Sequence, residues 1–255
     1  MHADTLETTD DAILNGKLRL LQPRRGHRFG HDAILLAAAV PAEFGQRVAE
    51  FGAGVGAASL ALLSRAREID ATLIEIDESL CALATQNIAR NGFAGRARAI
   101  RCDVTAPMTE MAEAGIAPAS FDHVFMNPPF NDPSLQASPH VGKRAAHAAS
   151  SDLLERWVAG ASLLLNATGA LTLIWRADAL SDVLNTLQAR FGALTVTPVY
   201  PAPGRPAIRI IVSARKGSRA PLSILPALTL NDAQQKPSAE AEAILRHGAA
   251  LLPPD

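Results

Sequence analysis

The chain has 255 residues, 48% of them hydrophobic, with 24 Lys plus Arg against 25 Asp plus Glu for a net charge of −1. That content excludes a disordered chain and suffices for one sizeable core, while the charge balance excludes a global attraction to polyanions, so any nucleic-acid role must rest on local patches. The two cysteines, Cys81 and Cys102, come without a C-x-x-C or a histidine at ligand spacing, which argues against a disulfide framework or a structural metal.

Residues 1–11 are polar and acidic and lack the basic start and apolar run of a secretory signal. The apolar run 35–40 is too short to span a bilayer before Pro41 stops it. A cytoplasmic protein with no membrane span is the expectation. Residues 12–45 hold one possible strand, a basic turn over 22–28 and a helix beginning near His31 or Asp32. From Arg47 onward short apolar runs alternate with longer amphipathic ones, the pattern of a parallel sheet covered by helices.

The spacing predicts strands over 47–51, 71–76, 97–101, 121–126, 169–175, 193–199 and 207–214, with helices over 57–65, 78–91, 152–165 and 177–190. Asn91-Gly92 and residues 166–169 read as helix stop signals. Residues 201–204, Pro-Ala-Pro-Gly, are too short for a helical crossover, so the last two strands form an antiparallel hairpin at the sheet edge. The fold class is therefore α/β, a Rossmann-like seven-stranded mixed sheet with helices on both faces. A polar loop over 131–150 is placed to close over a ligand, and a Pro-containing tail from Ala220 ends in a short helix near 239–246. Three units are expected: an N-terminal extension (1–45) packing on the catalytic domain, the main domain (46–219), and the tail (220–255).

Four strand ends carry the chemistry. Gly52, Gly54 and Gly56 follow the first main strand and let backbone pass close to a ligand. Gly52, Gly54 and Ala57 also satisfy a loose dinucleotide fingerprint, G-x-G-x-x-A. Glu50 discriminates, because an acid before the glycines repels a pyrophosphate but suits a cationic amino-acid moiety such as that of S-adenosylmethionine. Glu75 ends the second strand where a ribose diol would lie, with Asp77 starting the next helix; the alternative makes both acids helix N-terminal groups. Asp103 ends the third strand, either to accept from an adenine amino group or as an ordinary loop acid.

The fourth strand runs into Asn127-Pro128-Pro129-Phe130. The prolines stiffen the loop, an Asn oxygen with a neighbouring carbonyl accepts both hydrogens of an amino group, and Phe130 covers the plane from which that group projects. The other reading is a Pro-rich turn with Phe130 in the core. His123, within the strand, reads as a packed residue.

With E-x-G-x-G-x-G, Glu75, Asp103 and N-P-P-F in this order, residues 20–215 resemble the class I S-adenosylmethionine-dependent methyltransferases. In that family the tetrad is typical of transfer to an exocyclic or amide nitrogen: adenine N6, guanine N2 or protein glutamine. The stretch from Gln22 to Ala33, QPRRGHRFGHDA, is similar to the bacterial tRNA1(Val) adenine-N6 methyltransferase family, as are residues 213–218 and 243–246. The resemblance implies S-adenosyl-L-methionine as cofactor, a pocket lined by residues 29–33 including Phe29 and Asp32, and tRNA as partner. It further implies that basic residues, Arg24, Arg25, Lys143, Arg144, Arg215 and Lys216, hold RNA phosphates. Phe130 stands where the adenine enzymes usually carry Tyr, which keeps guanine N2 open beside adenine N6. Protein-glutamine methylation and a non-catalytic RNA-associated module are the remaining readings.

Overall fold

The computed structural model describes residues 7–26, 28–41, 43–129 and 142–251, and for residues 142–151 the backbone alone. The chain opens with an antiparallel hairpin, β1 (Thr8–Ile13) and β2 (Leu18–Pro23), forming its own two-stranded sheet. One strand was expected in this region. The other was hidden because β1 is polar and only half-buried on its inner side, so it shows no apolar alternation.

The main body then alternates α1 (His31–Ala39), β3 (Arg47–Phe51), α2 (Ala57–Arg65), β4 (Asp70–Glu75), α3 (Glu78–Arg90), β5 (Ala97–Arg101), α4 (Met108–Glu113) and β6 (Phe121–Met126). It continues through α5 (Gly142–Leu164), β7 (Leu165–Arg176), α6 (Leu180–Gln188), β8 (Phe191–Tyr200) and β9 (Arg209–Lys216). The tail adds β10 (Ser223–Ile224), β11 (Leu228–Thr229) and α7 (Ala239–His247).

The main sheet has nine strands in the order β10-β8-β9-β7-β6-β3-β4-β5, with β11 also on β8. The seven expected strands are its centre. The surplus pair are two-residue strands from the tail, parallel to β8 and too short to show any periodicity. β8 and β9 are antiparallel as expected, but β9 lies inside, between β7 and β8. The stop signal at 166–169 is a shift of pairing register: Leu165 pairs with Phe121 and Ala170 with His123. Helix α5 starts ten residues before the expected boundary, and α4 is a one-and-a-half-turn helix too short to read from sequence.

Side-chain alternation divides the core between the two faces of the sheet. Val48, Leu73, Phe125, Ile174 and Ile211 pack with α1, α2, the hairpin and Ile244 of α7. Ala49, Ile74, Val124, Leu173 and Val212 pack on the other face, with Met111 of α4, Val158 of α5 and Val183 of α6. His123 is buried, and its Nε2 lies 2.9 Å from Thr172 Oγ1, which is 2.8 Å from Ser213 Oγ. Burial drives its pKa down to about 3, so it is a neutral member of a polar row across three strands. Among the described residues no helix is long and apolar enough to cross a membrane.

Candidate active site

The parallel strands β3, β4 and β6 all deliver their C-terminal ends to one edge of the sheet, where ligands of open α/β folds bind. Glu50 and Glu75 share a face there, because each stands two residues beyond a residue of the same core layer, Val48 and Leu73.

Gly52, Gly54 and Gly56 all have positive φ, of 62°, 56° and 87°. At Gly52 the requirement is also steric: a Cβ would lie 2.5 Å from the Trp157 ring. Helix α2 starts without a side-chain cap at Gly56. Glu50 supplies the missing acceptor from below, taking bonds from Ser59 N at 2.9 Å and Ser59 Oγ at 2.5 Å. Burial, set against those bonds, pushes the Glu50 carboxyl up to about 8. Glu75 is also buried, accepting from Gly54 N at 2.7 Å and Asp77 N at 2.9 Å, so it ties the glycine turn to the end of β4. Asp77 caps α3 through Leu80 N at 2.9 Å.

Asp103 Oδ1 accepts from Thr105 N and Oγ1, at 2.7 and 2.8 Å, which fixes the carboxylate after β5. At the end of β6, Asn127 Oδ1 is buried and has no hydrogen-bond partner among the described residues. Pro128 is buried and Pro129 exposed, while Phe130 lies outside the described residues.

Two cavities meet at Gly52. The first, about 250 Å³, is bordered by Arg28, Phe29, Asp32, Glu50, Gly54 and Asn127. The second, about 230 Å³, is bordered by Ile76, Cys102, Asp103, Pro129, Arg156 and Trp157. Phe29, Asp32, Glu50, Gly52, Gly54 and Asn127 are thus gathered on one side, with Asp103 and Pro129 on the other. Glu75 reaches the first cavity through Gly54, and Gly56 is packed behind it, its α-carbon facing Leu73 and Ala84.

Sequence reasoning missed Arg28 as a wall of the first cavity and Trp157 and Ile76 as walls of the second. Trp157 arrives from α5, which sequence alone cannot place. Ile76 had a signal, an apolar residue directly after Glu75, and it is 59% exposed.

The expected phosphate contacts divide. Arg24 and Arg25 are exposed in the turn after β2, Arg24 lying 3.6 Å from Glu7. The side chains of Lys143 and Arg144 lie outside the described residues. Arg215 and Lys216 lie apart from the first pair. Arg209 pairs with Arg176 at the C-terminal end of β7, beside the cavities, whereas Arg215 pairs with Ala170 midway along it, about 20 Å away along the strand. Lys216 Nζ donates to the carbonyls of Ser162 and Leu165, at 2.6 and 2.8 Å, and so caps the end of α5.

Comparison with known proteins then decides the family: the profile of the methyltransferase small domain matches residues 29–198, from the α1 approach through β8. This chain belongs to the methyltransferase small domain family. A tRNA1(Val) (adenine(37)-N6)-methyltransferase of Porphyromonas gingivalis is 30% identical over 198 residues, 76% of this chain and 76% of that protein. One of the same name from Bacteroides thetaiotaomicron is 26% identical over 165 residues, 64% of this chain and 65% of that protein. A solved structure described as a predicted O-methyltransferase of Agrobacterium tumefaciens is 30% identical, covers 86% of this chain and 97% of that one, and superposes with a TM-score of 0.73.

The cofactor of this methyltransferase is S-adenosyl-L-methionine, and the residues present fit it. Gly52 leaves the backbone bare where the two cavities join, as an extended ligand with an amino-acid end and a nucleoside end requires. Asp32 and Glu50 line the first cavity and Asp103 the second, where Ile76 offers apolar surface.

Proposed function

We propose that this methyltransferase modifies an exocyclic amino nitrogen, adenine N6 in a tRNA. The observation that carries the reading is the buried Asn127 Oδ1 at the border of the cofactor cavity, which has no hydrogen-bond partner among the described residues. A buried amide oxygen left without a donor costs about 1–3 kcal/mol, so its retention points to a donor supplied by substrate. An amino group has two hydrogens to give, one for Asn127 and one for the Pro128 carbonyl, and that pairing aims the nitrogen lone pair. The relatives named as tRNA1(Val) (adenine(37)-N6)-methyltransferases support adenine and tRNA.

In this reading the first cavity holds the amino-acid end of the cofactor, with Glu50 toward the ammonium. Glu75 stands at the ribose and Asp103 toward the adenine amino group, with Ile76 against the ring. The bound sulfonium supplies an electrophilic methyl group, so the protein contributes orientation rather than a strong base; good alignment alone lowers such barriers by roughly 7–11 kcal/mol at its limit. A hydroxyl acceptor, suggested by the name of the Agrobacterium neighbour, would need its proton removed. For that task the described lining residues offer the carboxylates Asp32, Glu50 and Asp103 and no histidine or lysine.

The test is Asn127→Ala. Methylation of tRNA should fall about 100-fold while S-adenosylhomocysteine binding stays within twofold. Nucleoside mass spectrometry of the product separates N6-methyladenosine from N2-methylguanosine, and a wild-type enzyme that methylates no RNA base would sink the proposal.

A further inference from the structure

The first cavity is bordered by two acids, Asp32 and Glu50, and, among the described residues that line it, one cation, Arg28. An amino-acid end carries a carboxylate as well as an ammonium, so a cavity built for it needs a cationic partner. Asp32 is already held by Arg209 Nε at 2.8 Å.

Arg28 itself is held from behind. Its Nη1 donates to the Pro23 carbonyl at 2.9 Å and to Thr9 Oγ1 at 3.0 Å, and its Nη2 donates to Asp11 Oδ2 at 2.7 Å. Asp11 in turn accepts from Gln22 Nε2 at 2.5 Å and Thr9 Oγ1 at 2.8 Å. Thr9, Asp11 and Gln22 all lie on the inner face of the β1–β2 hairpin: Thr9 is registered against Gln22, and Asp11 against the buried Leu20. The Gln22 amide, ahead of Thr9 and Arg28, holds the Asp11 carboxyl below its usual range, so the anchor is an ion at neutral pH. The hairpin is fixed to the cofactor loop by Asn87, which bonds to both backbone groups of Leu21 and to the Val55 carbonyl.

We infer that the β1–β2 hairpin is part of the cofactor site, and that it holds Arg28 in place to bind the carboxylate of S-adenosylmethionine. A guanidinium pre-oriented by three fixed acceptors loses little freedom when it meets a carboxylate, and it still has donors to offer. The consequence is selectivity for ligands with an intact amino-acid end over nucleosides that lack one. The inference rests on the cofactor assignment and is independent of the RNA reading.

The experiment compares two ligands by calorimetry on the full chain: S-adenosylhomocysteine, which has the carboxylate, and 5′-methylthioadenosine, which lacks the amino-acid end. In Arg28→Ala, and in Arg28→Gln, which keeps donors toward Thr9 and Pro23, S-adenosylhomocysteine should bind about 10- to 100-fold more weakly. 5′-Methylthioadenosine should be unaffected within twofold, and Arg28→Lys should recover part of the loss. Equal weakening of both ligands in the Gln variant would make Arg28 a merely structural residue and overturn the inference, as would no weakening of either. Failure of the wild-type protein to bind either compound would overturn the cofactor assignment and the inference with it.

Discussion

Glu50 faces two demands: burial favours its neutral form over the opposing pull of the Ser59 bonds, and in the proposed site it meets a cation. With its folded pKa raised to about 8 from an ordinary 4.5, the stability it contributes is fully present below about 4.5 and is lost as pH rises through 8. The cofactor-free protein should therefore lose thermal stability between pH 5 and 8.5 more steeply than Glu50→Gln, checked by melting both across that range. Binding of an ammonium beside Glu50 favours ionisation, so wild-type binding at pH 7 should release a proton that Glu50→Gln does not. Calorimetry in buffers of different ionisation heat reads that difference directly. Asn127 and Glu50 thus differ in kind: the Asn127 oxygen has no partner among the described residues, whereas Glu50 is already satisfied by Ser59.

Among the elements, the N-terminal hairpin is held to α3 by side chains, with Asn87 and Asn91 each bonding both backbone groups of one β2 residue. Asn87 on α3 is fully buried, and its amide makes bonds of 2.7, 2.9 and 3.0 Å to Leu21 N, Leu21 O and Val55 O. Asn87→Ala leaves those backbone groups unpaired and should cost about 2–4 kcal/mol, measured by urea unfolding. Because the hairpin carries the Arg28 anchors, the folded fraction should also bind S-adenosylhomocysteine more weakly. Helices 57–65 and 78–91 and strand 121–126 were legible to within a residue because apolar periodicity and stop signals agree there. Elsewhere those signals failed for physical reasons. β1 owes its place to pairing with β2 rather than to burial of its own, and β10 and β11 exist only because β8 offers unpaired backbone.

Across the whole molecule, the sheet direction sorts the basic residues. Arg24 and Arg25 leave the hairpin in the turn that leads to Arg28 and the first cavity, whereas Arg215 lies at the far end of the strands and Lys216 is spent on the end of α5. Replacing Arg24 and Arg25 together by Ala should weaken tRNA binding several-fold and reduce the slope of log affinity against log salt by about two. Arg215→Ala should leave both unchanged; filter binding over a salt series distinguishes these outcomes. The tail is integral to this arrangement, since β10 and β11 extend the sheet at β8, and the Leu251 amide donates to the Ala38 carbonyl of α1.

The order of acids and glycines at the strand ends, with N-P-P-F after the fourth main strand, was readable in the chain itself. These are local features, set by turn chemistry and by the alternation of apolar runs. Which cations share an end with the site, which glycine is pressed by a tryptophan 105 residues away, and which acids are already satisfied were decided only by tertiary structure. Such facts depend on strand order and side-chain partners far apart in sequence. Arg28 shows the difference most directly: in the sequence it is one of five basic residues near the start, and in the fold it is a cation in the wall of the first cavity.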